Sequence, residues 1–216
     1  MILGITPARG GSRGIPRKNL AQVCGKPLIA WTIEAALRSR LLSRYIVSTE
    51  DPGIAAVSRS CGAEVLPRPA HLATDEATTL SVLRHVLGEI PAETVVLLQC
   101  TSPVRVEGLI DRCIERFLTT GADSLATGFM CSLFPWGEYS ARRQDLRPFF
   151  HDDGNVYVLR ADLLEAGDLW GRKREQFLTG REENFEIDDE FDLWLNEQIL
   201  ARRTGCGGTR GKGNRL

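Results

Sequence analysis

The segment Ile2-Leu3-Gly4-Ile5-Thr6-Pro7-Ala8-Arg9-Gly10-Gly11-Ser12-Arg13-Gly14-Ile15-Pro16-Arg17-Lys18-Asn19 decides the fold. It begins as a short apolar run and passes directly into a loop rich in glycine and basic residues. A buried strand that opens into such a loop is how an α/β unit starts. Residues 7–19 hold Gly10, Gly11 and Gly14 together with Arg9, Arg13, Arg17 and Lys18. Glycines let the backbone approach a ligand and turn successive N–H groups toward anionic oxygens. Arg9, Arg13 and Lys18 add charge for phosphate, arginine with a bidentate fork. A solvated turn is the plainer alternative. The position after a strand and the basic cluster favour phosphate. Neither GxxxxGK[ST] nor GxGxxG occurs, which excludes a Walker A loop and a dinucleotide fingerprint.

Outward from this loop, apolar strands alternate with amphipathic helices. Residues 27–42 carry a helical apolar stripe, 45–49 read as a strand, 52–61 as a helix and 64–66 as a short strand. Residues 78–87 read as a helix, 94–99 (Thr-Val-Val-Leu-Leu-Gln) as the most apolar strand, 106–118 as a helix and 123–127 as a strand. That rhythm predicts a single-domain, three-layer α/β/α fold with a mostly parallel central sheet. Ligands of such sheets bind beyond the carboxyl ends of the strands, here after Thr6, Thr49 and Gln99. Residues 135–150 break the rhythm and predict a projecting arm. Residues 155–160 predict a strand, 172–184 a charged loop and 185–187 a last strand. Residues 188–200 predict a helix with Phe191, Leu193, Trp194 and Leu195 on or near its buried side.

The chain has 216 residues, 27 basic and 28 acidic, for a net charge of −1. A length of this order buries a core without metal or disulfide staples. The near-zero charge argues against a nucleic-acid coat and gives no reason for attraction to a membrane. The distribution is uneven: residues 202–216 carry five basic side chains and no acid, which leaves residues 1–201 with 22 basic and 28 acidic side chains. The glycine-rich, basic stretch 202–216 reads as a disordered tail behind a domain of residues 1–201. No apolar run approaches the roughly 20 residues of a membrane span, and no secretory signal is visible. The six cysteines (Cys24, Cys61, Cys100, Cys113, Cys131 and Cys206) show no zinc spacing. They read as reduced, mostly buried thiols of a cytoplasmic protein.

Several motifs carry a family resemblance. Residues 8–16 with Lys18-Asn19-Leu20 closely resemble the signature of acylneuraminate cytidylyltransferases. The likeness continues through Val47-Ser48-Thr49, Arg68-Pro69-Ala70-His71-Leu72-Ala73-Thr74-Asp75 and Leu98-Gln99-Cys100-Thr101-Ser102-Pro103. It then takes in Arg142-Arg143-Gln144-Asp145-Leu146, Gly154 with Tyr157, and Phe185-Glu186-Ile187-Asp188. Those enzymes join CTP to a nonulosonic acid, giving a CMP-sugar and pyrophosphate, on a Rossmann-like nucleotidyltransferase fold.

The resemblance implies roles residue by residue. Arg9, Arg13 and Lys18 would hold the triphosphate and stabilise charge on the leaving pyrophosphate. Ala8, Gly10, Gly11 and Asn19 would line the CTP phosphates and ribose, and Arg68, Ala77 and Thr79 the base. The plainer reading of Arg68 is a surface salt bridge. Gln99, Arg143 and Gln144 would meet an acidic acceptor, and Glu186 and Asp188 would bind Mg²⁺. On an extended strand two carboxylates one residue apart share a face. Asp189, Glu190 and Asp192 read as charge at a helix N-terminus. Cys100 stands where the family usually has proline and reads as a small buried filler. Members of the family act as homodimers through a hairpin arm, which residues 134–141 leave short. His151 and Asp153 replace an arginine and an asparagine of the family pattern, and an extra acid beside an acidic sugar is unexpected. An acceptor such as a phosphonate or another ulosonic acid therefore stays open, as do a non-catalytic nucleotide-binding module and an RNA-binding tail.

Overall fold

The computed structural model describes residues 1–12, 14–135, 137, 142–180 and 185–206. The first half alternates as expected: β1 (Ile2–Pro7), two short strands β2 (Gln22–Val23) and β3 (Lys26–Pro27), α1 (Leu28–Leu37), β4 (Arg44–Thr49), α2 (Pro52–Ser60), β5 (Glu64–Pro67), α3 (Thr79–Glu89) and β6 (Thr94–Leu97). The second half follows with α4 (Leu109–Thr120), β7 (Ser124–Cys131), β8 (Phe149–Arg160), α5 (Ala161–Glu165), β9 (Arg174–Leu178) and α6 (Glu190–Thr204). Seven strands form one sheet in the order β5-β4-β1-β6-β8-β7-β9. All pairs are parallel except those of β8, which runs antiparallel to both β6 and β7.

Strand alternation sorts the core into two layers. Val96 and Leu98 face one side with Ile29 and Ile33 of α1, Ile54 of α2 and Ile114 and Phe117 of α4. Leu3, Ile5, Val95 and Leu97 face the other with Leu83, Val86 and Leu87 of α3 and Leu164 of α5. A fully buried Leu or Ile contributes roughly 1.5–3 kcal/mol, so the doubly covered strands β1 and β6 anchor the domain. Local chemistry sets the helix starts. Asp51 accepts from the Ile54 N–H (2.8 Å) with Pro52 in the first turn. Asp189 and Asp192 form a reciprocal capping box at α6. That accounts for Asp189 and Asp192 as helix-end charge.

Several expectations need correction. The charged stretch predicted as a loop contains β9, an edge strand parallel to β7. Its residues alternate between exposed and half-buried, so no apolar run advertises it. Residues 185–187 form no strand; Ile187 is buried and donates a single backbone hydrogen bond to Thr101 (2.8 Å). Phe191 and Trp194 are 64% and 50% exposed and stack on each other, while Leu193 and Ile199 pack inward. Helix α6 passes the expected domain end at residue 201 and stops at Thr204, where Gly205 takes φ +71°. Residues 207–216 of the expected tail lie outside the described residues, as do Trp136 and residues 138–141 of the arm.

The cysteines divide. Cys61, Cys100, Cys113 and Cys131 are free thiols, the last three buried. Cys24 and Cys206 are instead paired in a disulfide, with Cα atoms 6.0 Å apart across 182 residues of sequence. No local spacing announces a pair so far apart in the chain.

Asp153 on β8 is 3% exposed. Its carboxylate accepts from the Thr127 hydroxyl, the Asn155 N–H (2.9 Å) and the Thr179 hydroxyl (3.0 Å). Burial pushes its pKa up against those hydrogen bonds.

Two outcomes follow from these features. Thiol titration of the denatured, unreduced protein should give four free thiols and not six, and Cys206→Ser should cost about 2–4 kcal/mol of stability. For Asp153, a raised native pKa means stability that is complete below the ordinary carboxylate range and lost as pH rises through the native pKa. Asparagine fits the same partners, because Thr179 donates onward to the Gly128 carbonyl (3.1 Å) and can accept from an amide. Asp153→Asn should therefore melt higher than the parent at pH 7, with the gap closing toward pH 4. A lower melting point at pH 7 would refute this account.

Candidate active site

The carboxyl ends of β1, β4 and β6 open on two adjoining cavities. The larger, of ~560 Å³, is lined by Arg9, Gly11, Ser12, Gly14, Lys18, Asn19, Gln99 and Asp188, among others. The smaller, of ~240 Å³, is lined by Arg68, Leu72, Thr74, Ala77, Thr79 and Val82. Pro7, Arg9, Asp75 and Gln99 belong to both walls. Most of the expected nucleotide residues thus converge. Arg13 lies outside the described residues.

The loop after β1 is held at several points. Ala8 is buried and donates to the Ser48 carbonyl (2.9 Å). The Arg9 guanidinium donates to the Thr74 carbonyl (3.0 Å) and pairs with Asp75 (2.6 Å). Asn19 donates to the Arg9 carbonyl (2.9 Å), which ties the end of the loop to its start. Gly11 has open space where a side chain would be, whereas a Cβ at Gly10 would meet Asp51 at 2.7 Å. Lys18 donates to the Ile187 carbonyl (2.6 Å), with its ammonium 3.9 Å from Asp188. Gly14 lies so close to the Asp188 carbonyl that a Cβ would come within 2.1 Å of it. The basic loop and the acidic segment therefore form opposed walls of one cleft.

Arg68 is 7% exposed, which overturns the surface salt bridge. Its donors go to the Ser48 hydroxyl (3.3 Å) and carbonyl (2.5 Å). Burial pulls its pKa down and the charge of Glu50 partly restores it. A buried guanidinium beside Ala77 and Thr79 gives the smaller cavity a fixed donor, with Leu72, Val82 and Leu97 as its apolar surfaces, as recognition of a flat polar ring requires.

The acceptor side is less complete. Gln99 lines both cavities, and its carbonyl accepts from Thr32 (3.3 Å) and Arg105 (2.7 Å). Cys100 is 3% exposed, and burial pushes its thiol up to about 12, in keeping with a filler. Gln144 is exposed on a one-turn helix, Arg143–Asp145, and is not among the residues lining either cavity. The Arg143 side chain lies outside the described residues. Asp153 spends its carboxylate on Thr127, Asn155 and Thr179, so it is a structural acid. His151 is exposed and packs against Phe129 and Phe149.

Glu186 accepts from the Thr101 hydroxyl (2.9 Å), and the Asp188 side chain is 81% exposed in the cleft. Ile187 between them is fully buried, so both carboxylates stay outside the core although the segment is not a strand. Burial and then the charge of Asp188 push Glu186 upward, against the Thr101 hydrogen bond and Lys18. Two like charges held together in this way suit a hard divalent cation that keeps several waters. Among the described residues no three His, Cys, Asp or Glu side chains gather as a fuller metal cage.

Sequence reading missed Arg105 and Glu50. Arg105 donates to the carbonyls of Gln99 and Asn155 and to Thr32, and burial pulls its pKa down to about 10. It thereby fixes the main chain at the cleft floor. Its one sequence signal is its place two residues after Thr101-Ser102-Pro103. Glu50 accepts from the Gly10 N–H (2.6 Å) and follows the strand end at Thr49.

Comparison with known proteins bears on the family and the fold. A family model for cytidylyltransferases matches residues 3–133, which include the basic loop, Arg68 and Gln99. An N-acylneuraminate cytidylyltransferase of Escherichia coli is 30% identical over 220 residues, or 94% of this chain and 52% of that protein. The post-translational flagellin modification protein B of Campylobacter coli is 26% identical over 226 residues, or 94% of this chain and 96% of that protein. The chain spans about half the length of the curated N-acylneuraminate cytidylyltransferases it matches. A solved CMP:2-keto-3-deoxy-manno-octonic acid synthetase complexed with CTP shares the fold, with a TM-score of 0.75 over 94% of this chain and 99% of that one at 16% identity. With a family match over more than half its length and a basic loop at the strand ends, the chain belongs to the cytidylyltransferase family.

Proposed function

We propose that the protein transfers CMP from CTP to an acidic sugar, most closely a sialic-acid-like nonulosonic acid. An acceptor oxygen attacks the α-phosphorus, the bond from that phosphorus to the bridging oxygen breaks, and pyrophosphate leaves. The observation that carries the reading is the Lys18 bridge to Ile187, which sets the basic loop against Asp188 across one cavity, with Glu186 beside it on Thr101. Phosphoryl transfer needs positioning and charge neutralisation more than a protein nucleophile.

On this reading Arg9, Arg13 and Lys18 neutralise the triphosphate and the leaving pyrophosphate, and Asn19 sits by the ribose. Arg68, Ala77 and Thr79 receive the base, and Gln99 stands between nucleotide and acceptor. Arg9 is shared with Asp75 until nucleotide arrives, so binding exchanges one anionic partner for another. Glu186 and Asp188 would hold Mg²⁺, which when bound supplies positive charge to the phosphate oxygens. The other acidic acceptors, a phosphonate or a different ulosonic acid, stay the second reading, because Gln144 does not line either cavity.

A second copy of the chain is the partner we propose, docking on the β7–β8 hairpin. That hairpin is paired out to Cys131 and Phe149, and Met130, Leu133 and Phe149 are exposed on it. The use of CTP supports a cytoplasmic location. The Cys24–Cys206 bond, uncommon in that compartment, is the observation against that placement. No helix among the described residues is long and apolar enough to cross a membrane.

The assay gives the protein CTP, Mg²⁺ and a panel of acidic acceptors and measures pyrophosphate release. Release with a nonulosonic acid supports the first reading; release with phosphonates alone moves the substrate to the second. Arg9→Ala and Asp188→Ala should each lose about 10²–10³-fold in turnover with an unchanged melting point. Full activity in Asp188→Ala would remove the metal assignment.

A further inference from the structure

Glu50 has no role in the reaction as described so far, yet it sits against the nucleotide loop. A carboxylate beside a triphosphate site opposes binding by like charge. Its position therefore needs a compensating function. One oxygen, Oε1, accepts from the Gly10 N–H at 2.6 Å, a short charge-assisted bond. The other, Oε2, is buried and has no hydrogen-bond partner among the described residues.

The turn that carries Glu50 is rigid. The Asp51 N–H donates to the Thr49 hydroxyl (3.1 Å), and the Asp51 side chain caps α2. Asp51 also touches the loop twice. Its carboxylate lies where a Gly10 side chain would go, and it pairs with Arg17 (3.3 Å). The loop is thus held near both ends by two successive acids at the carboxyl end of β4. The charge of Glu50 also acts on the buried Arg68 of the smaller cavity.

We propose that Glu50 is a positioning residue: through the Gly10 N–H it locks the glycine loop on the β4–α2 turn, so that the loop meets CTP already ordered. Preordering of this kind lowers the entropy lost when nucleotide binds. The inference rests on the cytidylyltransferase reading and assigns no chemical step to Glu50.

The test measures binding of CTP with Mg²⁺ by calorimetry, with no acceptor present, beside a thermal melt. Glu50→Ala should bind CTP at least tenfold more weakly while still melting cooperatively. Glu50→Gln, which keeps an acceptor oxygen for Gly10, should stay within threefold of the parent. In turnover, the loss in Glu50→Ala should fall on KM for CTP and not on kcat. Parental affinity in Glu50→Ala, or an equal loss in folded Glu50→Gln, would overturn the proposal. Failure of the parent protein itself to bind CTP would count against the cytidylyltransferase reading and not against the anchor. Hydrogen exchange at the Gly10 amide of the parent decides the anchor in that case, or if Glu50→Ala does not fold. Protection supports it, and exchange at the rate of an open loop overturns it.

Discussion

The Lys18 ammonium and the Ile187 carbonyl meet at 2.6 Å across 169 residues of chain, and the cleft depends on that contact. A parallel sheet by itself provides only strand ends facing solvent. To become a site for a polyanion, those ends need a cationic wall and a second wall that keeps the cations from collapsing inward. Lys18 meets both needs, because its ammonium is bound at the rim by a neutral carbonyl, with Asp188 beyond at 3.9 Å. The carbonyl fixes the position of the ammonium.

That bridge is backed by packing. Ile15 of the loop, Val23 and Leu28 of the following hairpin and helix, Val104, Ile187 and Leu200 make a small core of their own. It is separate from the two layers that cover the main sheet, and it joins the amino-terminal loop to α6. The Cys24–Cys206 bond closes the same seam at the far end of α6. The first and last described segments thus stabilise each other, although no backbone ladder runs between them.

How much of this was legible follows from where the signals are local. β1 and its loop, β4 and β6 could be read because a doubly covered strand is a continuous apolar run. β9 could not, since an edge strand exposes alternate residues and its composition is that of a charged loop. Phe191 and Trp194 misled because hydrophobic residues inside is a one-way rule, and the inward positions of α6 belong to Leu193, Asn196 and Leu200. The Cys24–Cys206 pair and the Glu50–Gly10 bond join residues with no shared periodicity, so only the folded chain brings them together. Asp153 was legible as an anomaly but not as a solution: its partners Thr127 and Thr179 lie on other segments of the chain.

The same reasoning explains why the nucleotide half of the site is better defined than the acceptor half. Ala8, Arg68 and Gln99 follow strands that neighbours on both sides hold in register, or, for Arg68, the edge strand β5 paired to β4. Their backbone positions are fixed by the sheet, and few residue choices satisfy both the core beneath and the cleft above. Arg143 and Gln144 instead sit on the connection between β7 and β8, beyond the last ladder pair of Cys131 with Phe149. Nothing in the sheet fixes that segment, so its length and charge can change without disturbing the fold. A family that keeps one nucleotide and varies its acceptor would place the variation there, and the departures of this sequence, Cys100 apart, cluster around that connection and the start of β8.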